Sequence, residues 1–169
     1  MRDSEETALV LLEATPGIFR LLFERLPEEI ATTDLDRDWS PKRVLAHMVD
    51  VEEAGFADRF RRIVAKNRPS IASFDPLATL EAGGYLAQPI PALLDQLEAS
   101  RRKTCAWLRG LTPDDLARTA SHNTAGEFTL ANLLHYWPIH DMAHIRGVQR
   151  MLNSVLRHEA GGLDETFDV

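Results

Sequence analysis

His140 and His144 are the residues whose type and spacing best suit chemistry in this chain. On an α-helix, residues four apart lie one above the other on one face, so this pair can offer two imidazoles to one metal ion. The pair continues an apolar stripe made of Leu133, Trp137, Val148 and Met151. Burying an imidazole without a partner costs about 1 to 3 kcal/mol. Two interpretations stay open at this point: a shared metal ion, or two core histidines that are hydrogen-bonded within the fold.

A third histidine, His47, lies on the apolar face of a different predicted helix, between Ala46 and Met48. A single histidine in such a place is more often a hydrogen-bonded core residue than a ligand. With His140 and His144 it completes a set of three imidazoles from two helices. We therefore predict that His47, His140 and His144 bind one metal ion.

The remaining histidines fit this site less well. His135 is predicted to lie on a different side of its helix from His140. His122 falls in a predicted loop, from which it could reach the mouth of the site, and His158 lies near the C-terminal tail. Asp50, one turn beyond His47, could orient an imidazole or act on a bound water, and an exposed carboxylate without a role is the alternative.

Helices must position these residues, because apolar residues recur at helical spacing and strand-like alternation is absent. The long helices are predicted over about residues 5–26, 40–67, 91–109 and 129–153, with a shorter piece over 77–87 and a helical turn after Thr112. Segments 70–76 and 120–128 are predicted loops. These elements indicate an all-α protein, a four-helix bundle without a sheet, in one domain over residues 1–169.

Prolines and the chain end refine this prediction. Ser40 and Pro41 suit the start of the second helix. Thr15-Pro16 predicts a kink or a break in the first helix, and Pro138 predicts a kink in the last one. The tail from about residue 158 is predicted to be partly disordered.

Composition narrows the classes of partner. The chain has 169 residues, of which 44% are hydrophobic and 27% charged, and its net charge of -7 disfavours nucleic acid as a partner. No apolar run is long enough to cross a membrane, and the N-terminus lacks a secretory signal, so we predict a cytoplasmic location. The basic groups at 59–68 and 101–103 are interpreted as solvated helix faces. Cys105 is interpreted as a small buried hydrophobe.

Two blocks of sequence resemble a known family. The first runs from Trp39-Ser40-Pro41 through Val44-Leu45-Ala46-His47-Met48 to Glu52, and the second from Gly126-Glu127-Phe128 through His140-Asp141 to Ala143-His144-Ile145. Both are similar to the signatures of the DinB/YfiT-like family, and the resemblance extends from about residue 9 to residue 152. That family often has a histidine where this chain has Ala143, and a glutamine where it has Gly147, so the subfamily stays open.

The resemblance implies a four-helix bundle, usually a homodimer, whose metal ligands would be His47, His140 and His144. It also implies a metal-dependent enzyme acting on a small molecule, either a hydrolase or a transferase that uses a low-molecular-weight thiol. Three imidazoles suit zinc, nickel or ferrous iron. A non-catalytic metal-binding bundle with a sensor or stress-response role is the alternative. No catalytic acid or base is identified.

Overall fold

Helices form most of the protein, as the spacing of apolar residues predicts. The structure, a computed structural model, describes residues 2–160 apart from residues 38 and 74. Its helices are α1 (Asp3–Phe23), α2 (Glu28–Thr32), α3 (Pro41–Val51), α4 (Asp58–Ala65), α5 (Pro76–Ala82), α6 (Ile90–Leu108), α7 (Pro113–Leu116) and α8 (Leu130–Ala160). A π-helix (Glu52–Ala57) joins α3 directly to α4, and a short 3-10 helix (Tyr85–Ala87) precedes α6. Helix α8 continues beyond its predicted end at residue 153, and the predicted tail beyond residue 160 lies outside the described residues.

Four long elements make the bundle. They are α1, α6, α8, and the continuous run that consists of α3, the π-helix and α4. Helix α1 packs against α6 and α8, and α3 packs against the same two helices. Ser40 caps α3 by accepting a hydrogen bond from the backbone N–H of Arg43 at 3.2 Å, and Pro41 occupies the first turn as predicted. Among the described residues, no helix is both long and apolar enough to cross a lipid bilayer.

The expectation that the fold has no sheet is wrong. Strands β2 (Thr119–His122) and β3 (Gly126–Thr129) form an antiparallel hairpin in the segment predicted as a loop, and β1 (Ser70–Ile71) pairs with β2 in parallel. The strands are too short for apolar alternation to be visible in the sequence. Gly126 has φ of 76°, a left-handed conformation that suits glycine, and it lets the chain return as β3.

Helix α1 is a single helix, so of the two alternatives predicted at Thr15-Pro16 the break is wrong, and the kink stays a prediction. A proline in a helix cannot donate to the carbonyl four residues earlier, here that of Leu12. The guanidinium of Arg101 replaces the missing donor, since its Nη1 donates to the Leu12 carbonyl oxygen at 2.7 Å. A tertiary contact therefore stabilises a helix that local rules would interrupt.

The core consists of two apolar clusters. One contains Leu9, Leu12, Phe56, Phe60 and Trp137, and the other contains Phe19, Phe23, Leu45, Leu97 and Val148. Along each bundle helix a polar group falls between the two sets, such as Arg101 on α6 and His140 with Asp141 on α8. A polar layer therefore crosses the bundle between the clusters, and the predicted site belongs to it.

Candidate metal centre

His47, His140 and His144 converge in the polar layer, as the helical spacing predicts. The ring centroids of His140 and His144 lie 4.5 Å apart, and those of His47 lie 4.7 Å from His144 and 5.7 Å from His140. Each ring offers one nitrogen such that the three atoms all lie within 4.8 Å of one another. His47 is buried, whereas His140 and His144 are partly exposed, so the cluster faces outward at the edge of the bundle. Their role as metal ligands stays a prediction.

The environment keeps two of these rings neutral. Burial, followed by the nearby His144 and His140, lowers the pKa of His47 to about 3. Burial, followed by His140, lowers the pKa of His144 to about 4. The Nδ1 atom of His47 is buried and has no hydrogen-bond partner among the described residues. Neutral imidazoles with an unsatisfied buried nitrogen are chemically suited to donate a lone pair to a metal ion.

These lowered pKa values predict that acid destabilises the metal-free protein. In the unfolded chain a histidine takes up a proton below about pH 6.5, while folded His47 and His144 resist until about pH 3 and 4. The contribution of these two rings to the free energy of unfolding is therefore fully present above about pH 6.5, and it is lost progressively as the pH drops toward 4. The loss at pH 5 should be about 1 to 2 kcal/mol for each imidazole.

Urea unfolding of chelator-stripped protein at pH 7.5 and pH 5 measures this loss. A variant with His47→Gln and His144→Gln serves as the control and should lose much less stability between the two pH values. Equal losses in the variant and the unchanged protein would contradict the assignment of the acid sensitivity to these rings.

A buried ionic network lies directly behind His140. The Asp141 carboxylate places Oδ1 3.4 Å from His140 Nδ1 and accepts a hydrogen bond from Arg101 Nη1 on Oδ2 at 2.8 Å. Arg101 also donates Nη2 to Glu52 Oε2 at 2.8 Å, and its guanidinium lies 4.8 Å from the ring centre of Trp137. The network holds Asp141 in place beside the Nδ1 atom of His140, where a carboxylate is suited to orient an imidazole.

The network contains two carboxylates and one cation, and their pKa values reflect this imbalance. Burial raises the pKa of Glu52 more than the attraction of Arg101 lowers it. For Asp141 burial acts in the same direction, but Arg101 and the contact with His140 outweigh it, so its pKa is lowered. Burial alone would lower the pKa of Arg101, yet the two carboxylates raise it. Asp141 therefore stays ionised beside His140.

The sequence interpretation missed Arg101 and misjudged Asp50. Arg101 is 1% exposed and is not part of a solvated strip, although its neighbour Arg102 is exposed as expected. Asp50 is buried and accepts a hydrogen bond from Thr79 Oγ1 at 2.6 Å, so it is not the exposed carboxylate that one alternative described, and its action on an imidazole or a bound water stays a prediction. Cys105 is buried as predicted, and burial raises its pKa to about 12, which keeps the thiol protonated.

A cavity of about 330 Å³ opens next to the histidines. Two of the clustered histidines line it together with residues from neighbouring elements. The lining residues are His47, Val51, Gly55, Phe56, Arg59, Ser73, His122, Tyr136 and His140. His122, at the end of β2, therefore does reach the mouth of the site. His135 instead lines a separate cavity with Pro138 and Leu11. A larger cavity of about 570 Å³ lies between α1 and α6, but none of the three clustered histidines lines it.

Fold and site together define a four-helix bundle with three histidines gathered at one edge of its core. The chain belongs to the DinB superfamily, whose sequence profile matches residues 11–147. Two bacterial relatives carry the name "putative metal-dependent hydrolase". One, from Oceanobacillus iheyensis, is 25% identical over 118 residues, which are 70% of this chain and 67% of the relative. The other, from Bacillus mycoides, is 28% identical over 145 residues, covering 77% of this chain and 83% of the relative.

A solved structure has the same fold. YfiT from Bacillus subtilis, described as "a probable metal-dependent hydrolase with an unusual four-helix bundle topology", superposes with a TM-score of 0.84. The match covers 92% of this chain and 89% of YfiT at 21% sequence identity. The predicted family and the predicted bundle are thereby confirmed.

Proposed function

We propose that this protein is a metal-dependent hydrolase in which His47, His140 and His144 hold one divalent metal ion. The observation that carries the proposal is the convergence of three imidazole nitrogens within 4.8 Å of one another. The names of the two relatives and of YfiT support the same activity.

The residues present fit such an ion. Two metal–nitrogen bonds of about 2.1 Å span at most about 4.2 Å, so small side-chain rotations bring all three nitrogens into bonding range. His47 and His144 are neutral at pH 7 and need not lose a proton to bind. Three protein ligands leave a coordination position open, which is typical of catalytic rather than structural sites.

The surrounding residues orient and enclose the cluster. Asp141 lies against His140 Nδ1, and the Phe56 ring covers another side of His140, with the two ring centroids 5.2 Å apart. The Trp39 and His47 rings are perpendicular, with their centroids 5.7 Å apart. When bound, a divalent ion supplies Lewis acidity, which makes water a nucleophile at neutral pH.

The experiment compares purified, chelator-stripped and reconstituted protein on a panel of carboxylic esters, thioesters and amides. Hydrolysis should fall at least about 100-fold on stripping and return with zinc, nickel or ferrous iron. Elemental analysis of the purified protein identifies the resident ion. Hydrolysis that is unchanged by stripping contradicts the proposal.

Two other outcomes distinguish the alternatives. Conjugation of a low-molecular-weight thiol to an electrophile, without hydrolysis, would instead indicate a thiol-dependent transferase. Stoichiometric metal without turnover in either assay would indicate a non-catalytic binding or sensor bundle. The homodimer also stays a prediction, and the exposed Leu11 and Ile139 beside the His135 cavity offer apolar surface for it.

A further inference from the structure

Arg59 is a half-buried cation without a carboxylate partner among the residues that the structure describes. Its described hydrogen bond runs from Nη2 to the backbone carbonyl of Ala72 at 3.2 Å, and no described carboxylate lies within 4.0 Å of it. Its neighbours Arg61 and Arg62 differ, since they pair with Glu53 and Asp58. Burial, followed by the charge of Arg62, lowers the pKa of Arg59, as expected for a cation without a close anion.

The position of Arg59 makes this charge available to a ligand. Arg59 lines the 330 Å³ cavity together with His47 and His140. A cavity of this size lies at the lower end of the range for small-molecule sites. A molecule that reaches the histidine cluster through this cavity therefore passes the guanidinium.

His122 adds a neutral hydrogen-bond donor to the same cavity. Its Nδ1 accepts hydrogen bonds from the backbone N–H groups of Thr124 and Ala125, both at 3.1 Å. In a neutral imidazole whose Nδ1 accepts, the proton lies on Nε2. The turn of the hairpin thus fixes His122 as an N–H donor from Nε2.

The wall that carries His122 is held in place by further contacts. Asn123 Oδ1 accepts hydrogen bonds from the Ser73 backbone N–H at 3.0 Å and from Ser73 Oγ at 2.8 Å. These bonds tie the hairpin to the segment after β1, so the two polar walls of the cavity are joined to each other. The rest of the lining includes Phe56 and Tyr136, whose rings suit an apolar or aromatic body.

We infer that the cavity selects a small substrate with an oxyanion group, which the Arg59 guanidinium and the His122 Nε2–H bind while the apolar body lies against Phe56 and Tyr136. A guanidinium can form two parallel hydrogen bonds to a carboxylate or a phosphate, and both groups share this chemistry. The inference rests on the proposed function for the reaction at the histidines, but the anion site is a property of the cavity itself.

Calorimetric titration with benzoate, phenyl phosphate and the neutral analogue benzamide tests the inference. The titrations use metal-loaded and chelator-stripped protein, since a carboxylate could also bind the metal directly. Arg59→Gln should weaken the binding of benzoate or phenyl phosphate at least about tenfold in both forms, because a hydrogen-bonded charge is lost. The preferred anion of the two identifies the oxyanion group. Benzamide should bind more weakly than the anions and be insensitive to Arg59→Gln.

Matched variants complete the test. Arg61→Gln, which removes a surface cation two residues away that is paired with Glu53, should leave anion binding unchanged. Arg59→Lys keeps the charge and should retain most of the affinity if Arg59→Gln proves unstable, and His122→Phe should weaken anion binding several-fold. Equal affinity of benzoate and phenyl phosphate for Arg59→Gln, Arg61→Gln and the unchanged protein overturns the inference. If Arg59 has no effect on anion binding but hydrolysis depends on metal, the inference fails and the proposed function stands. If Arg59 supports anion binding but no hydrolysis occurs, the inference stands and the proposed function fails.

Discussion

Replacement of His47, His140 or His144 by alanine should lower the affinity for a divalent ion at least about 100-fold. Even the loss of a residue that merely orients a ligand costs about 10- to 100-fold, and loss of the ligand itself should cost more. Two imidazoles from the same helix would remain in His47→Ala, and one imidazole from each of two helices in His144→Ala. The affinities are measured by competition with a chromophoric chelator at pH 7.5.

His135→Ala is the matched control, because His135 belongs to the same helix as His140 but lines a different cavity. It should bind metal as the unchanged protein does. The assignment fails if a variant with alanine at all three positions still purifies with one equivalent of metal.

Replacement of Arg101 by methionine should destabilise the fold by about 3 to 5 kcal/mol. Methionine fills most of the space but leaves the carboxylates of Glu52 and Asp141 buried without a cation, which is the costly way to break a buried ion pair. The carbonyl of Leu12, already deprived of a donor by Pro16, would also lose the hydrogen bond from Arg101. Urea unfolding at pH 7.5 measures the change in the free energy of unfolding.

Arg102→Met tests whether this effect is specific. Arg102 is adjacent in sequence but exposed, so its replacement should change stability by less than about 0.5 kcal/mol. Similar urea midpoints for the two variants would contradict the role assigned to the buried network. Arg101→Met should also weaken metal binding, because Asp141 would no longer be held against His140.

The histidine cluster could be predicted from sequence because its signal is local. His140 and His144 share a helix face through their spacing alone, and His47 lies on a core-facing stripe. The bundle could be predicted for the same reason, since apolar periodicity extends over several turns in each long helix. The start of α3 could be predicted from Ser40-Pro41, because the capping hydrogen bond of Ser40 reaches only three residues along the chain.

The features that could not be predicted depend on contacts between distant residues. Three adjacent basic residues, Arg101 to Lys103, point in three directions on a helix, and sequence alone does not show that only the first faces the core. A break at Pro16 was one of two predicted outcomes, and it is avoided because the compensating donor comes from Arg101, far along the chain. The hairpin that carries His122 consists of strands of four residues, which leave no periodic signal.

The π-helix between α3 and α4 changes the angular relationship of the residues on either side of it. In a regular α-helix each residue advances by about 100°, so His47 and Arg59, twelve positions apart, would diverge by about 120°. The wide turn takes up about one extra residue, so that Arg59 occupies the angle of an eleventh residue, about 20° from His47. A related chain with one residue fewer here could therefore keep its cation over the same cavity on an unbroken α-helix. In sequence comparisons of this family, the residues before and after the wide turn should be aligned separately, each in its own helical phase.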